Sequence, residues 1–391
     1  MLLNQNTAKT LEKQLLNYIG SFNAWKLFIK ILDMIDNNNY YQLKIINLMK
    51  KVLKKLHLWL GLTFGIPLVI LGITGSIIIL SFSFSDIKRI VSNAERYSPS
   101  PQEIIEIINL VKEGEVSELR FPEKIDGTMS IRLSNKKRFS LNLQTMVMEP
   151  DLQDSFTRIM IKLHSKLLLS NGDFITGISG IILFFLSISG MILLIPKIFS
   201  LKDVKLKMHL KGKPFYYNLH TVIGFWAFLF LIIMSFSGVY LTFPNGLAKP
   251  VKNLLQVKPF KLEEDFQANL QSFDMEKIIF SAKNAIPNAR ITRIYLPSKS
   301  NNYFNITMKQ GLFPVKVFLD NAGNILQIKK SETYTIGEKI AFLIPYLHKN
   351  ENVSGIWWGW RIMIFIIGFL PIIFTFTGFK LWRKRNNRFL S

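Results

Sequence analysis

Four long stretches of this chain carry almost no charge, and that feature limits the possible folds more than any other. Residues 56–85, between Lys55 and Asp86, contain no Asp, Glu, Lys or Arg. Residues 174–196 and 214–248 contain none either, and residues 352–379 contain only Arg361. A membrane-spanning helix needs about 20 predominantly apolar residues, and soluble core helices rarely run this far without a charge. The spacing predicts four spans. Composition agrees: 19% of residues are charged, against roughly 25% in soluble domains.

The net charge of +23 invites a nucleic-acid reading, so where the charge sits has to decide. Lys50, Lys51, Lys54 and Lys55 precede the first span, six lysines lie in 197–215, and Lys380, Arg383, Lys384, Arg385 and Arg388 follow the fourth. With four spans these patches share one side, and a basic excess beside short span ends marks the cytoplasmic side. The excess is therefore read as orientation, with both termini inside and no nucleic-acid partner. Two long loops, 86–173 and 249–351, fall on the outside.

The expected order is an N-terminal extension (1–48), span one (49–85), a first outside module (86–153) and an amphipathic segment with span two (154–196). A cytoplasmic loop (197–213), span three (214–248), a second outside module (249–335), an amphipathic segment with span four (336–382) and a basic tail (383–391) follow. The extension is rich in Asn and Lys, and Met49-Lys50-Lys51 is a candidate native start. Span one would serve as a signal anchor.

The chain also reads as a repeat. Leu56-His57 opens span one and reaches Thr74-Gly75; Leu219-His220 opens span three and reaches Ser237-Gly238. In both, glycines follow the histidine by 4 and by 18 residues. At 3.6 residues per turn these offsets return to one helix face. His57, Gly61 and Gly75 share that face, as do His220, Gly224 and Gly238, where small residues admit a helix or a flat cofactor. Gly180 and Gly190 are matched by Gly368 and Gly378, and Leu163-His164 by Leu347-His348. Two spans per unit give both copies one orientation, a parallel repeat.

Each outside loop holds a helical pattern (101–112 and 274–285) followed by strand-like runs: 117–121, 127–134 and 138–144 in the first, 290–296, 303–309 and 315–319 in the second. Asp320-Asn321-Ala322-Gly323 is a hairpin turn signal. The amphipathic stretches 154–169 and 336–349 carry the two Leu-His pairs back to the membrane surface.

Four of the five histidines thus stand at span ends, His57 and His220 inside, His164 and His348 outside; His209 has no repeat partner and reads as a surface residue. One such histidine is an ordinary interfacial residue, but a two-by-two symmetric set points to paired ligands. A zinc site wants more N or S donors than a pair offers. Two axial imidazoles on haem iron need only a pair, and haem held between facing helices is a known arrangement. The chain has no cysteine, which excludes disulfides, Cys-ligated metal and covalent c-type haem. Noncovalent b-type haem remains.

The segments LHLWLGLTFGIPLVILGITG (56–75), LHTVIGFWAFLFLIIMSFSGVYLTFP (219–244) and TGFKLWRKR (377–385) resemble PepSY-associated transmembrane-helix proteins. That family includes iron-regulated inner-membrane proteins and siderophore-linked ferric reductases, and the likeness runs over roughly residues 50–385. It implies an all-α four-helix transmembrane bundle, an internal two-fold parallel repeat and two α+β PepSY-like periplasmic domains. It also implies two haem b groups and electron transfer across the inner membrane to ferric siderophore or another chelate. By motif match His57 and His220 would carry the cytoplasmic-side haem, and His164 and His348 the periplasmic-side haem. The glycine alignment puts the counterpart of His164 at position 352, four residues past His348.

No G-x-G-x-x-G motif is present, and a cytoplasmic connection of this length cannot fold a flavin or nicotinamide domain. The electron donor is expected to be a separate protein, a small reductant or quinol. Arg361 is the lone charge in span four and a candidate haem-propionate partner, the alternative being snorkelling. Trp357, Trp358 and Trp360 fit an aromatic belt or the floor of a substrate site. Pro67 and Pro371 fit span kinks. Two rival classes stay open on the residues: a non-enzymatic PepSY protein that regulates peptidases or senses a ligand, and an iron-chelate permease component.

Overall fold

A computed structural model describes residues 39–111, 115–125, 127–150, 156–195, 204–257, 273–298, 302–350 and 357–386. Most of the N-terminal extension, much of the cytoplasmic loop, position 352 and the end of the basic tail lie outside the described residues. In chain order the first half comprises α1 (Asn39–Val91), α2 (Pro101–Leu110), β1 (Val116–Arg120), β2 (Thr128–Leu133), β3 (Arg138–Asn142), β4 (Met148–Pro150), α3 (Phe156–Lys166) and α4 (Gly172–Leu194). The second comprises α5 (Gly212–Thr242), α6 (Lys249–Leu254), α7 (Met275–Ala285), β5 (Arg290–Tyr295), β6 (Phe304–Lys309), β7 (Pro314–Leu319), β8 (Ile325–Lys329), α8 (Ile336–Lys349) and α9 (Trp357–Asn386).

Helices α1, α4, α5 and α9 are each long and apolar enough to cross a membrane. They close a ring in which α1 packs on α9 and α4, and α5 packs on α4 and α9. Outward-facing side chains stay apolar: Ile66 is 70% exposed, Trp226 61% and Ile362 57%. In water such a surface would be unstable, so lipid is its solvent. Inward, small residues let backbones approach. A Cβ on Gly72 would collide with the Gly368 carbonyl, and Ser76 Oγ donates to the Phe365 carbonyl at 2.8 Å across the same α1–α9 contact. Gly177 and Gly180 give α4 the same closeness to α5 at Phe243 and Val239. Pro67 and Pro371 lie inside continuous helices. Span three is shorter than its charge-free run, because α5 ends at Thr242 and a π-helical turn, Pro244–Ala248, takes over.

The segments between spans one and two and between spans three and four form one sheet of eight antiparallel strands in the order β4-β3-β2-β1-β5-β6-β7-β8. The two α+β modules expected as separate domains are therefore joined, β1 against β5, with Leu119 opposite Ile294. The order reads alike from either edge. Each of the two central strands carries a bulge, at Val116/Glu118 and at Ile291/Arg293, and bulges raise local twist. Alternation sets the faces. Ile131, Leu119, Ile294, Ile306 and Val317 are fully buried in a single core with Ile104 and Ile107 of α2 and Ile278 and Ile279 of α7. One shared core explains the fusion, since a module this small buries too little apolar surface alone.

The predicted hairpin turn at 320–323 is present: Asp320 Oδ1 accepts from the Ala322 and Asn324 N–H groups, and Gly323 has a φ of +83°. The short strands β4 and β8 fall outside the runs expected from sequence. Two amphipathic helices return the chain to the bundle, α3 packing on α1 and α8 on α5. A capping box fixes the start of α8: Thr335 accepts from the Glu338 N–H while Glu338 accepts from the Thr335 N–H. This satisfies two otherwise orphaned helix-start groups.

Candidate functional site

Four histidines from four helices meet in two places. His57 of α1 faces His220 of α5, with ring centroids 6.2 Å apart. His164 of α3 faces His348 of α8, also with centroids 6.2 Å apart. The first pair lies at one end of the bundle. The second lies beside Gly75 and Gly238, eighteen residues further along α1 and α5, which is about 27 Å of helix rise. The chain thus places one imidazole pair toward each end of its apolar bundle.

Every one of these rings is held by a hydroxyl from a neighbouring span. His57 Nδ1 lies 2.8 Å from Ser189 Oγ, and His220 Nδ1 lies 2.8 Å from Thr377 Oγ1. His164 Nδ1 lies 3.1 Å from Thr74 Oγ1, and His348 Nδ1 lies 3.0 Å from Ser237 Oγ. The proton positions follow by counting. A hydroxyl has one proton to donate, and each of these four gives it back to its own helix. Thr74 donates to the Ile70 carbonyl at 2.7 Å, Ser237 to Ile233 at 2.6 Å, Thr377 to Ile373 at 2.6 Å and Ser189 to Leu186 at 3.2 Å. With the hydroxyl proton on the helix carbonyl, the oxygen accepts and Nδ1–H donates. His164 gives an independent check, because its Nδ1 also lies 2.9 Å from the Leu71 carbonyl, which can only accept.

A neutral ring protonated at Nδ1 carries its free lone pair on Nε2, the nitrogen available for a metal. Outside the spanning helices, burial lowers the pKa of the His164 imidazole and pushes His348 down to about 3, which favours the neutral ring. Among the described residues no group of three or more His, Cys, Asp or Glu is arranged to hold a metal ion. Each site therefore offers a pair of nitrogens. An imidazole nitrogen sits about 2 Å from a first-row metal and the ring centre about 1 Å further, so two imidazoles on opposite sides of one metal have centroids about 6 Å apart. The observed spacing fits that arrangement.

The glycines shape the surroundings. A Cβ on Gly75 would lie 3.1 Å from His164 Cε1, one on Gly238 3.1 Å from His348 Cε1, and one on Gly190 3.2 Å from His57 Cε1. These contacts are tight, so glycine lets the rings seat. Near the inner pair, a Cβ on Gly61 or Gly224 would meet a single atom at 3.9 Å, from Leu186 and Phe374 respectively. That is an ordinary contact distance, so close packing does not by itself require either glycine. Gly378, the repeat mate of Gly190, has open space.

The sequence of the whole bundle-and-sheet region, residues 54–385, matches the family of the PepSY-associated TM region. The chain belongs to that family. No curated protein matches the chain. As a PepSY-associated TM protein it is embedded in a membrane through its apolar helices.

The hydroxyl partners in this PepSY-associated protein are what sequence reasoning missed. Thr74-Gly75 and Ser237-Gly238 stood out as small residues, while Ser189 and Thr377 were not singled out. The usable signal is a hydroxyl residue directly before a glycine in each of the four spans.

Arg361 is 1% exposed, and its guanidinium lies 2.9 Å from Asp86 of α1. It also donates to the carbonyl of Asn350, a buried residue in left-handed conformation (φ 46°) that caps α8 two residues after His348. Arg361 therefore ties together the end of α1, the end of α8 and the start of α9. The Trp358 ring lies 5.2 Å from that guanidinium, and the Trp360 indole donates to the Leu347 carbonyl at 2.9 Å. These residues hold the His348 helix in place. His209 is exposed.

Proposed function

We propose that this PepSY-associated protein is a di-haem b electron-transfer protein of the bacterial inner membrane. It passes electrons from the cytoplasmic side to the periplasm and reduces ferric iron held in siderophores or other chelates. One observation carries the reading: two imidazole pairs toward opposite ends of the bundle, each at the spacing of two axial ligands and each with Nε2 left free by a hydroxyl on Nδ1.

In this reading His57 and His220 hold the cytoplasmic-side haem, and His164 and His348 the periplasmic-side haem. Haem iron, when bound, supplies a one-electron redox centre whose potential the axial ligands and their hydrogen bonds tune. The chain's residues do the rest. Ser189, Thr377, Thr74 and Ser237 fix the ring orientation and tautomer, as ligand-supporting hydrogen bonds do in other metal sites. The apolar bundle excludes water. Reduction of Fe(III) to Fe(II) outside weakens a chelate built from hard oxygen donors and frees the iron. In this reading the basic patches beside the span ends mark the cytoplasmic side, with both termini cytoplasmic and the sheet periplasmic. The halves, related by a parallel repeat, each supply one histidine to each pair.

The test is vectorial. Proteoliposomes loaded with an internal reductant and given an external ferric chelate should produce Fe(II) outside only when the protein and both haems are present. Equal production with His57→Ala/His220→Ala protein would overturn the proposal.

A further inference from the structure

The sheet has two unlike faces. One is the apolar core. The other looks toward the bundle across a cavity of 1880 Å³. Its sheet wall includes Arg120, Arg293, Asn305, Thr307 and Lys316, and its opposite wall is Lys88 at the end of α1 with Tyr346 and Lys349 of α8. Nine lysines and arginines line it against two acids, Asp86 and Glu123. Asp86 is already matched by Arg361, and Arg120 by Glu118 at 3.1 Å.

The charge is concentrated. Among the described residues neither Arg293 nor Lys316 forms an ion pair; Arg293 Nη1 lies 3.4 Å from the Tyr295 hydroxyl. Burial, then the neighbouring charges of Lys329 and Arg293, pull the Lys316 ammonium below its ordinary range, although Glu338 opposes this. Cations held this close on one concave wall raise the local concentration of an anion. The Tyr295 hydroxyl, which accepts from Arg293, keeps its own proton to donate to a ligand oxygen. The far wall is the helix that carries His348, and Lys349 is its next residue.

We infer that this cavity is the binding site of a small polyanionic chelate, a ferric complex of carboxylate or catecholate type, and that it discriminates against cationic complexes such as positively charged trihydroxamates. The inference deepens the ferric-reduction reading and rests on it for the metal, while binding itself is read separately. Anion charge recruits the complex to the wall of Arg293 and Lys316, next to the outer histidine pair across α8.

Gallium(III) tests it, because it matches ferric chelate charge without being reduced. Full-length protein in phosphatidylcholine nanodiscs is titrated with Ga(III)–citrate by calorimetry. Binding is expected to be saturable, to weaken with salt, and to weaken by roughly tenfold or more in Arg293→Gln/Lys316→Gln. Arg293→Lys/Lys316→Arg, which keeps the charge, should bind as the parent does. A cationic Ga(III) trihydroxamate should not bind. His57→Ala protein, with its inner pair broken, should bind Ga(III)–citrate unchanged, so loss of haem and loss of the anion site are separable. Equal binding of the cationic complex, or unchanged binding by the Gln variant, would overturn the inference. So would occupancy by phosphatidylglycerol in mixed nanodiscs with no response to Ga(III)–citrate.

Discussion

Replacing Thr377 by valine isolates the hydroxyl contribution to the inner pair. The two side chains have nearly the same shape, and Thr377 is fully buried, so the change removes one oxygen and little packing. That oxygen gives its proton to Ile373 and accepts His220 Nδ1–H at 2.8 Å. Without it, a buried N–H loses its acceptor at a cost of about 1–3 kcal/mol, or roughly 5- to 150-fold in affinity for whatever the imidazole holds. The outer pair provides an internal control. In Thr74→Val, His164 Nδ1 keeps the Leu71 carbonyl at 2.9 Å, so the loss should stay below about tenfold. The assay is haem release from purified protein to an excess of apomyoglobin, followed by absorbance. One of the two haems should leave Thr377→Val much faster than it leaves the parent, while Thr74→Val should be close to the parent. The reverse order would refute the proton accounting on which the site rests.

Gly190→Ala should lower haem content to one per chain, since its Cβ would sit 3.2 Å from His57 Cε1, whereas Gly378→Ala, with open space, should keep both; quantitative haemochrome spectra check this. Arg361→Met leaves Asp86 buried without its guanidinium and should cost about 3–5 kcal/mol, seen as a lower unfolding midpoint in detergent, with partial recovery when Asp86→Asn is added. Leu119→Ala, at the β1–β5 seam against Ile294, should cost about 2–5 kcal/mol. Because both halves share one core, hydrogen exchange should rise in β2 and β6 together rather than in the first half alone.

Much of this architecture was legible because it depends on local pattern. Charge-free runs mark the spans, and lysines beside them mark a side. Alternation in 290–296 and 303–309 marks β5 and β6. The histidine pairs were legible from symmetry, since His57 and His220 open equivalent spans. What stayed hidden depends on distance. The joining of β1 to β5 links Leu119 with Ile294, and nothing in either strand's pattern says which edge it will meet. Asp86 read as the charge that ends a span, yet it is the partner of Arg361 across the bundle. Ser189 and Thr377 were hidden for a chemical reason. A serine or threonine back-bonded to its own helix is common in apolar spans, so its free lone pair becomes visible only when a histidine from another helix is found against it. The offset between His348 and position 352, by contrast, was legible in the sequence. His164 and His348 sit on α3 and α8, which are joined to their spans by connectors of different length.

The central claim is that four histidines hold two haems in two pairs. Purified protein loaded with haem should bind two per chain, with a six-coordinate low-spin b-type spectrum. Ala at His57 or His220 should leave one haem, and Ala at His164 or His348 should leave the other, distinguishable by midpoint potential. His209→Ala should keep both. A single haem in the parent, or loss of haem with His209→Ala but not with His57→Ala, would contradict the account.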